Sequence, residues 1–388
     1  MKTAAVRDYA IVVFGATGFT GGKTAEYLAR RMPAGLRWAI AGRSQAKLDG
    51  LKARLLASAP QAQVDTLVAS VEDSASLLRM AAATRVLLTT VGPFIDYGEP
   101  VVQACIEQRT DYVDSTGEPH FFRLLHARYA QLARERAVRI VPSCGFDAIP
   151  ADLGALYTVR QLPRDQPIRL AGYMSLHGVF SGGTERSAIK SWVPPRESAV
   201  LADPEPRAGR RVRLIADKTH KHPLIGAWVS TLETVDGLVV TRSAATLDDY
   251  GPDFSYSHNA QHASFGQLAA AQVVFGSVAY LVRFAPARAL FLNMVKKSGE
   301  GPTQAQMDAG WFKLRFVAEC AGQTLQTEVA GGDPGYGETS KMLAESALCL
   351  AEAADLLPQR AGVLTAAEAM GDALLPRLQQ AGLRFRVL

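Results

Sequence analysis

The sequence predicts an α/β chain, in which a doubly wound parallel sheet is followed by a second α+β domain with a mainly antiparallel sheet. Three observations predict it. Short β-branched runs alternate with amphipathic helical stretches over the first 150 residues, a glycine-rich turn joins the first run to the first helix, and the rhythm changes past Pro150. A length of 388 residues suits two domains. Apolar residues at 48% and charged residues at 20% describe a globular chain and exclude a disordered or collagen-like one.

Residues 10–14 (AIVVF) form the kind of run that a strand buried on both faces requires. A helix over 18–31 follows, with Ala25, Leu28 and Ala29 at helical spacing. Residues 37–41 are a second strand, and 44–58 a helix that opens on a serine suited to an N-cap. Strands at 64–68, 86–90, 112–114 and 139–141 continue the pattern between helices at 74–83, 99–109 and 118–136. Beyond Pro150, the stretches 168–176, 224–232, 238–244, 311–320 and 324–330 read as strands of the second sheet. Residues 194–221, rich in Pro, Arg and charge, read as a long surface loop. Residues 339–357 return to a helix with Met342, Leu343, Ala347 and Leu350 on one face.

The 42 Lys and Arg against 37 Asp and Glu leave a net charge of +5. That excess is too small to argue for nucleic acid, and it suits anionic small molecules or an acidic protein partner equally. Cys105, Cys144, Cys320 and Cys349 lie far apart with no CxxC, so reduced thiols and no metal site are expected. The first ten residues carry Lys2, Arg7 and Asp8 and lack the apolar stretch of a secretory signal, which makes a cytoplasmic location the expectation. One segment stands apart. Between Asp253 and Arg283 there is no charged residue, and 265–282 is mostly apolar, diluted by Gln267, Gln272 and Ser277. Three readings are open for it: a buried or homodimer-interface helix, a peripheral membrane-surface patch, or a span.

Gly15-Ala16-Thr17-Gly18-Phe19-Thr20-Gly21 lies between the first strand and the first helix. Glycines at this spacing let the backbone turn tightly and approach a pyrophosphate at the helix N-terminus, as in a Rossmann dinucleotide site. The end of the second strand reads Ala41-Gly42-Arg43-Ser44, with no acid before Asp49. An NAD site wants a carboxylate there for the ribose hydroxyls, whereas Arg43, Ser44 and Lys47 offer charge and donors to a 2′-phosphate. The cofactor is read as NADP(H). Val91-Gly92-Pro93 after the fourth strand borders the place of the nicotinamide ribose. Asp147, at the same rim, precedes an amphipathic stretch and is open to a helix N-cap or a chemical role.

No tyrosine is followed four residues later by lysine, so the Tyr–Lys acid of short-chain dehydrogenases is absent. The scattered Cys and His supply no recognisable zinc set. Taken together, GATGFTG, TTVGPFIDYGEP, DYVDSTGEP, CGFDAIPADLG, GEGPT, GWFKLRF and DPGYGETSKMLAESALCLA resemble the saccharopine dehydrogenase-like oxidoreductases, and among them the bacterial trans-acting enoyl reductase group. The similarity runs from Ala10 to Phe385. It implies an NADP-binding Rossmann domain over 1–150, an α+β substrate and dimerisation domain over 151–335, and C-terminal helices over 336–388 that pack back on the first domain. It implies reduction of a carbon–carbon double bond on an acyl or polyketide chain, presented as a small molecule or on an acidic carrier protein. Ser70 stands where the family commonly has Asp.

For that chemistry Tyr97, Glu118 and Glu300 are the candidate catalytic residues: a donor for the enolate oxygen and an acid for the α-carbon. The basic residues Arg207, Arg210, Arg211, Arg213, Lys218 and Lys221 offer a carrier-docking surface or an ordinary solvated loop. Two other readings stay open. One is imine reduction of an amino acid, which calls for cations such as Arg186, Lys190, Arg242 and Lys313; the other is an NADPH-binding sensor or scaffold without turnover.

Overall fold

The computed structural model describes residues 7–179, 209–294, 301–353 and 356–388. The first sheet is built from β1 (Tyr9–Phe14), β2 (Trp38–Gly42), β3 (Val64–Val68), β4 (Thr84–Thr89), β5 (Asp111–Asp114), β6 (Arg139–Val141) and, from far along the chain, β14 (Gly362–Val363). Its order is β14-β6-β5-β4-β1-β2-β3 and its pairings are parallel. Side chains alternate between two apolar layers, as the pleat demands. Ile11, Val13, Trp38, Ile40, Val86 and Leu88 face one layer with Leu28 of α1 (Phe19–Arg31) and Leu51 of α2 (Gln45–Ser58). Val12, Phe14, Ala39, Ala41 and Leu87 face the other. Leu77 of α3 (Ser74–Ala82), Val101 of α4 (Phe94–Gln108) and Phe121 of α5 (Pro119–Glu135) cover that second layer.

The chain crosses to the second sheet through α6 (Ile149–Val159), so a helix spans the change of rhythm at Pro150. That sheet holds β7 (Ile168–His177), β8 (Arg211–Leu214), β9 (His220–Lys221), β10 (Trp228–Thr231), β11 (Asp253–His262), β12 (Trp311–Cys320), β13 (Gln323–Gly331) and β15 (Arg384–Val387). The order is β15-β13-β12-β7-β11-β10-β9, with β8 also on β11. It is mainly antiparallel, with β7 and β8 parallel to β11. Among the described residues the remaining α-helices are α7 (Val235–Thr246), α8 (Phe265–Leu281), α9 (Ala285–Met294), α10 (Gln304–Asp308), α11 (Thr339–Glu352) and α12 (Ala366–Gln380). The last fifty residues thus supply two helices and one strand to each sheet.

Several expectations are corrected. Residues 238–244 lie in helix α7, not in a strand; Val235, Val239, Val240, Ser243 and Ala244 recur at helical spacing and are buried together. The predicted strand 224–232 shrinks to Trp228–Thr231. Strand β11 was not predicted, because polar residues interrupt its apolar pattern: Phe254 and Tyr256 enter the core, whereas Ser257 Oγ and Asn259 Nδ2 donate to Asp217 Oδ2 at 2.6 and 3.1 Å. The loop predicted over 194–221 contains β8 and β9, while residues 194–208 lie outside the described residues. Helix α8 is not buried, since only Leu268 along it is enclosed.

The C-terminal helices are fastened to the first domain by a buried carboxylate. Glu345 of α11 accepts from Tyr27 Oη at 2.7 Å, from Arg377 Nε of α12 at 3.0 Å and from Arg31 at 3.5 Å. Removing that carboxylate takes the partner of Tyr27 Oη and one of the two carboxylates on Arg377, the other being Glu352, so Glu345→Ala should lower stability by about 2 kcal/mol. A urea midpoint unchanged from wild type would refute this account of the joint.

Candidate active site

In a doubly wound sheet the ligand crevice lies where the strand order reverses, here between β1 and β4. The turn after β1 is fixed by close approach. Gly15 has φ +85°, a conformation L side chains rarely adopt, and a Cβ there would lie 2.8 Å from Val91 Cγ2. At Gly21 a Cβ would lie 2.3 Å from Gly15 O, so only glycine lets α1 press against the strand end. Thr90 Oγ1 closes the contact by donating to Gly15 O at 3.3 Å, and Gly18 N–H donates to the same oxygen at 2.9 Å. Ala16 is buried, its N–H held by Ala41 O, while Thr17 and Gly18 are exposed and Phe19 and Thr20 half-exposed. Helix α1 begins with no side-chain cap and no acid in its first turn, which leaves its leading N–H groups without a side-chain acceptor.

At the end of β2, Arg43 is exposed and has no ion pair among the described residues. Ser44 sits at the N-cap position of α2 without bonding the helix, so its hydroxyl is not spent there. Lys47 is exposed one turn later. Val68, the last residue of β3, lies opposite Gly42 in the register and is 54% exposed. It gives an exposed apolar face at the end of the strand next to β2. Guanidinium, free hydroxyl and apolar face together fit a 2′-phosphorylated adenosine.

Across the crevice, Val91, Gly92 and Pro93 lead into α4. Glu118 Oε1 accepts from Phe94 N–H at 2.8 Å and Oε2 from Ile95 N–H at 2.9 Å. Both oxygens of this catalytic candidate therefore cap α4. Glu118 thereby holds the start of α4 just beyond the 91–93 turn. Tyr97 lies one turn into α4, 40% exposed. Glu300 lies outside the described residues; Gly301 beside it packs on the Phe19 ring, where a Cβ would lie 2.5 Å from the ring.

The loops after β5 and β6 are tied by buried Asp114, which accepts from Tyr112 Oη at 2.6 Å, Thr116 N–H at 2.8 Å and Ser143 N–H at 2.9 Å. That bracing places Asp147 against Gly117, where a Cβ would lie 2.8 Å from Asp147 Oδ1. Helix α6 takes Ala148 as its N-cap without a side-chain bond, so capping does not explain Asp147. Its side chain reaches solvent, yet protein packed around it withholds hydration, and Asp236 and Glu118 add like charge. Its pKa is pushed up to about 7. Behind it, buried Asp236 is also raised to about 7 by burial, and His258 Nε2 lies 3.9 Å from Asp236 Oδ1. His258 Nδ1 is 2.8 Å from Tyr256 Oη, and burial lowers this imidazole to about 4, so it is neutral. Spacing alone does not reveal this cluster, which joins β6, α7 and β11 only in the fold.

The second sheet closes the crevice through the turn Pro334–Glu338. Tyr336 stacks edge-on against Phe19 of the glycine turn with centroids 4.8 Å apart. Thr339 Oγ1 accepts from Phe146 N–H at 3.1 Å and donates to Pro334 O at 2.8 Å.

Comparison with known proteins agrees with this geometry. Residues 11–141 match the saccharopine dehydrogenase NADP binding domain. The trans-acting enoyl reductase of Mycobacterium ulcerans is 35% identical, covering 98% of this chain and 98% of its own. The saccharopine dehydrogenase-like oxidoreductase of Homo sapiens is 31% identical with the same coverage of 98% and 98%. The chain belongs to the saccharopine dehydrogenase-like oxidoreductases. Its fold resembles apo saccharopine dehydrogenase (L-Glu forming) from Saccharomyces cerevisiae, with a TM-score of 0.56 at 13% identity over 97% of this chain and 99% of that one.

As a member of this family the chain is an NADP-dependent oxidoreductase. Its glycine turn would receive the pyrophosphate, and Arg43 with Ser44 would receive the 2′-phosphate. Arg43→Glu should weaken NADPH by roughly 100-fold, about 2.7 kcal/mol, and leave NADH within about threefold. Fluorescence titration under anaerobic conditions measures both. Equal loss of the two nucleotides would refute the assignment of Arg43.

Proposed function

We propose that this oxidoreductase reduces the carbon–carbon double bond of an α,β-unsaturated acyl thioester. The observation that carries the reading is the place of Asp147: an exposed residue whose carboxyl packs against Gly117 at the rim of the cofactor crevice, with Asp236 and Glu118 near enough to raise its pKa further. The name of the Mycobacterium ulcerans relative supports it.

Bound NADPH supplies the hydride for the β-carbon. Tyr97 donates to the thioester oxygen as negative charge develops on it, and its exposed place on the first turn of α4 supports that role. Asp147 gives its proton to the α-carbon and is recharged from solvent. The protein packed around Asp147 favours its protonated form, and Asp236, kept close by α7, adds to this whenever it is ionised. Glu118 fixes the 91–93 turn from behind.

Imine reduction would need free cations for substrate carboxylates. Arg242 lies 3.9 Å from Glu368, Lys313 sits over the Trp311 ring, and Arg186 and Lys190 lie outside the described residues. For a carrier protein, Arg210, Arg211 and Arg213 are paired with Asp248 and Asp253, which leaves Lys218 and Lys221 as exposed cations of that segment; Arg207 lies outside the described residues.

The test is NADPH oxidation against short and long enoyl thioesters, with 2-oxo acids plus amines as the competing panel. The reading predicts enoyl turnover whose kcat/KM falls about tenfold per unit as pH rises above about 7, because the acid form of Asp147 is lost. Asp147→Asn should lower kcat by about 10²- to 10⁴-fold, remove that limb, and leave NADPH affinity intact. Turnover with a 2-oxo acid and amine alone would establish imine reduction instead. NADPH binding with no acceptor from either panel would favour the sensor.

A further inference from the structure

Helix α8 has a defined start. Ser264 Oγ accepts from Gln267 N–H at 3.2 Å, and the Gln267 side chain accepts from Ala263 N–H at 3.1 Å. Helical periodicity does not divide it into an apolar and a polar face. The six consecutive residues 272–277 are all exposed, and at 100° per residue they sweep the whole circumference. Val273, Val274 and Phe275 among them are 58–67% exposed, and Tyr280, Phe284, Leu290 and Met294 carry the apolar surface through α9.

A helix that is apolar all round belongs inside an apolar medium. A second copy of the chain would cover one face and leave the opposite one in water. A fluid medium covers every face at once. The charges point the same way: between Asp253 and Glu300 the sequence has no Asp or Glu, and its only formal charges are Arg283, Arg288, Lys296 and Lys297. An apolar body flanked only by cations is complementary to an anionic lipid surface, and the same cations would repel their counterparts in a symmetric copy. The 17 residues of α8 extend about 25 Å, less than the hydrocarbon thickness. Among the described residues no helix is long and apolar enough to cross a membrane.

We infer that α8 and α9 form a monotopic anchor that embeds in one leaflet of an anionic bilayer. The anchor grows from strands β10 and β11 of the second sheet, where Trp228 stacks on Phe265 at 5.1 Å. The inference is independent of the reaction the crevice performs.

The experiment uses the full chain with Gln272→Cys labelled by an environment-sensitive nitrobenzoxadiazole dye; all four native cysteines are buried, so the label is selective. Vesicles of phosphatidylcholine with or without one third phosphatidylglycerol are added, and flotation is followed in parallel. The expected result is a blue shift with co-flotation on the anionic vesicles, at least tenfold weaker on the neutral ones. The double substitution Val273→Glu and Phe275→Glu, at exposed positions, should abolish flotation while NADPH binding stays at the wild-type level. No flotation on either vesicle would overturn the inference. So would a concentration-dependent dimer, seen by sedimentation without lipid, that the double substitution dissociates.

Discussion

The structure depends on the burial of helix α11. From Thr339 to Ala351 every residue except Lys341 is buried, and the helix lies against α1, β4 and α12. A single enclosed helix thus belongs to the core of the parallel sheet while its N-terminal end leads directly out of β13 in the other sheet. The two domains cannot separate without exposing it. Carboxylates make the burial specific: Glu345 fixes its middle to α1 and α12, and Asp333 accepts from the N–H groups of Tyr336 and Gly337 at its entry, both at 2.9 Å.

The crevice follows from that constraint. Once α11 sets the second sheet against the ends of β1, β5 and β6, Tyr336 meets Phe19 and Phe146 meets Phe312, with centroids 4.8 and 5.0 Å apart. Packing at this junction raises the carboxyl pKa of Asp147 and Asp236. Asp147 is the one of these that reaches solvent, whereas Asp236 is enclosed. Helices α11 and α8 make an instructive pair. Almost every residue of α11 is enclosed by the fold, whereas along α8 Leu268 is the buried residue.

Much of the first domain was legible because a two-sided strand leaves an unmistakable pattern. AIVVF alternates Ile11 and Val13 into one layer and Val12 and Phe14 into the other. Arg43 was legible as a candidate for a local reason, since the end of the second strand of a Rossmann sheet faces the cofactor's ribose. The second domain was harder. Valines in 238–244 suggested a strand, but Thr234 and Asp236 start a helix there. The polar run of β11 hid its burial, because Ser257 and Asn259 are paid for by Asp217, distant in sequence. Glu118 and Asp147 could not be told apart in the sequence for the same kind of reason. The sequence showed two acids at one rim; only the fold shows that one is consumed by the N–H groups of Phe94 and Ile95 while the other is left open.

The central claim is that the crevice adds hydrogen across an acyl double bond, with the α-proton delivered from an acid in exchange with solvent. Mass spectrometry of the product formed from an enoyl thioester and NADPH in heavy water tests it most directly. The account predicts a saturated thioester carrying one solvent-derived deuterium, at the α-carbon. Recovery of unreacted thioester, alongside an amine formed from a 2-oxo acid under the same conditions, would contradict it.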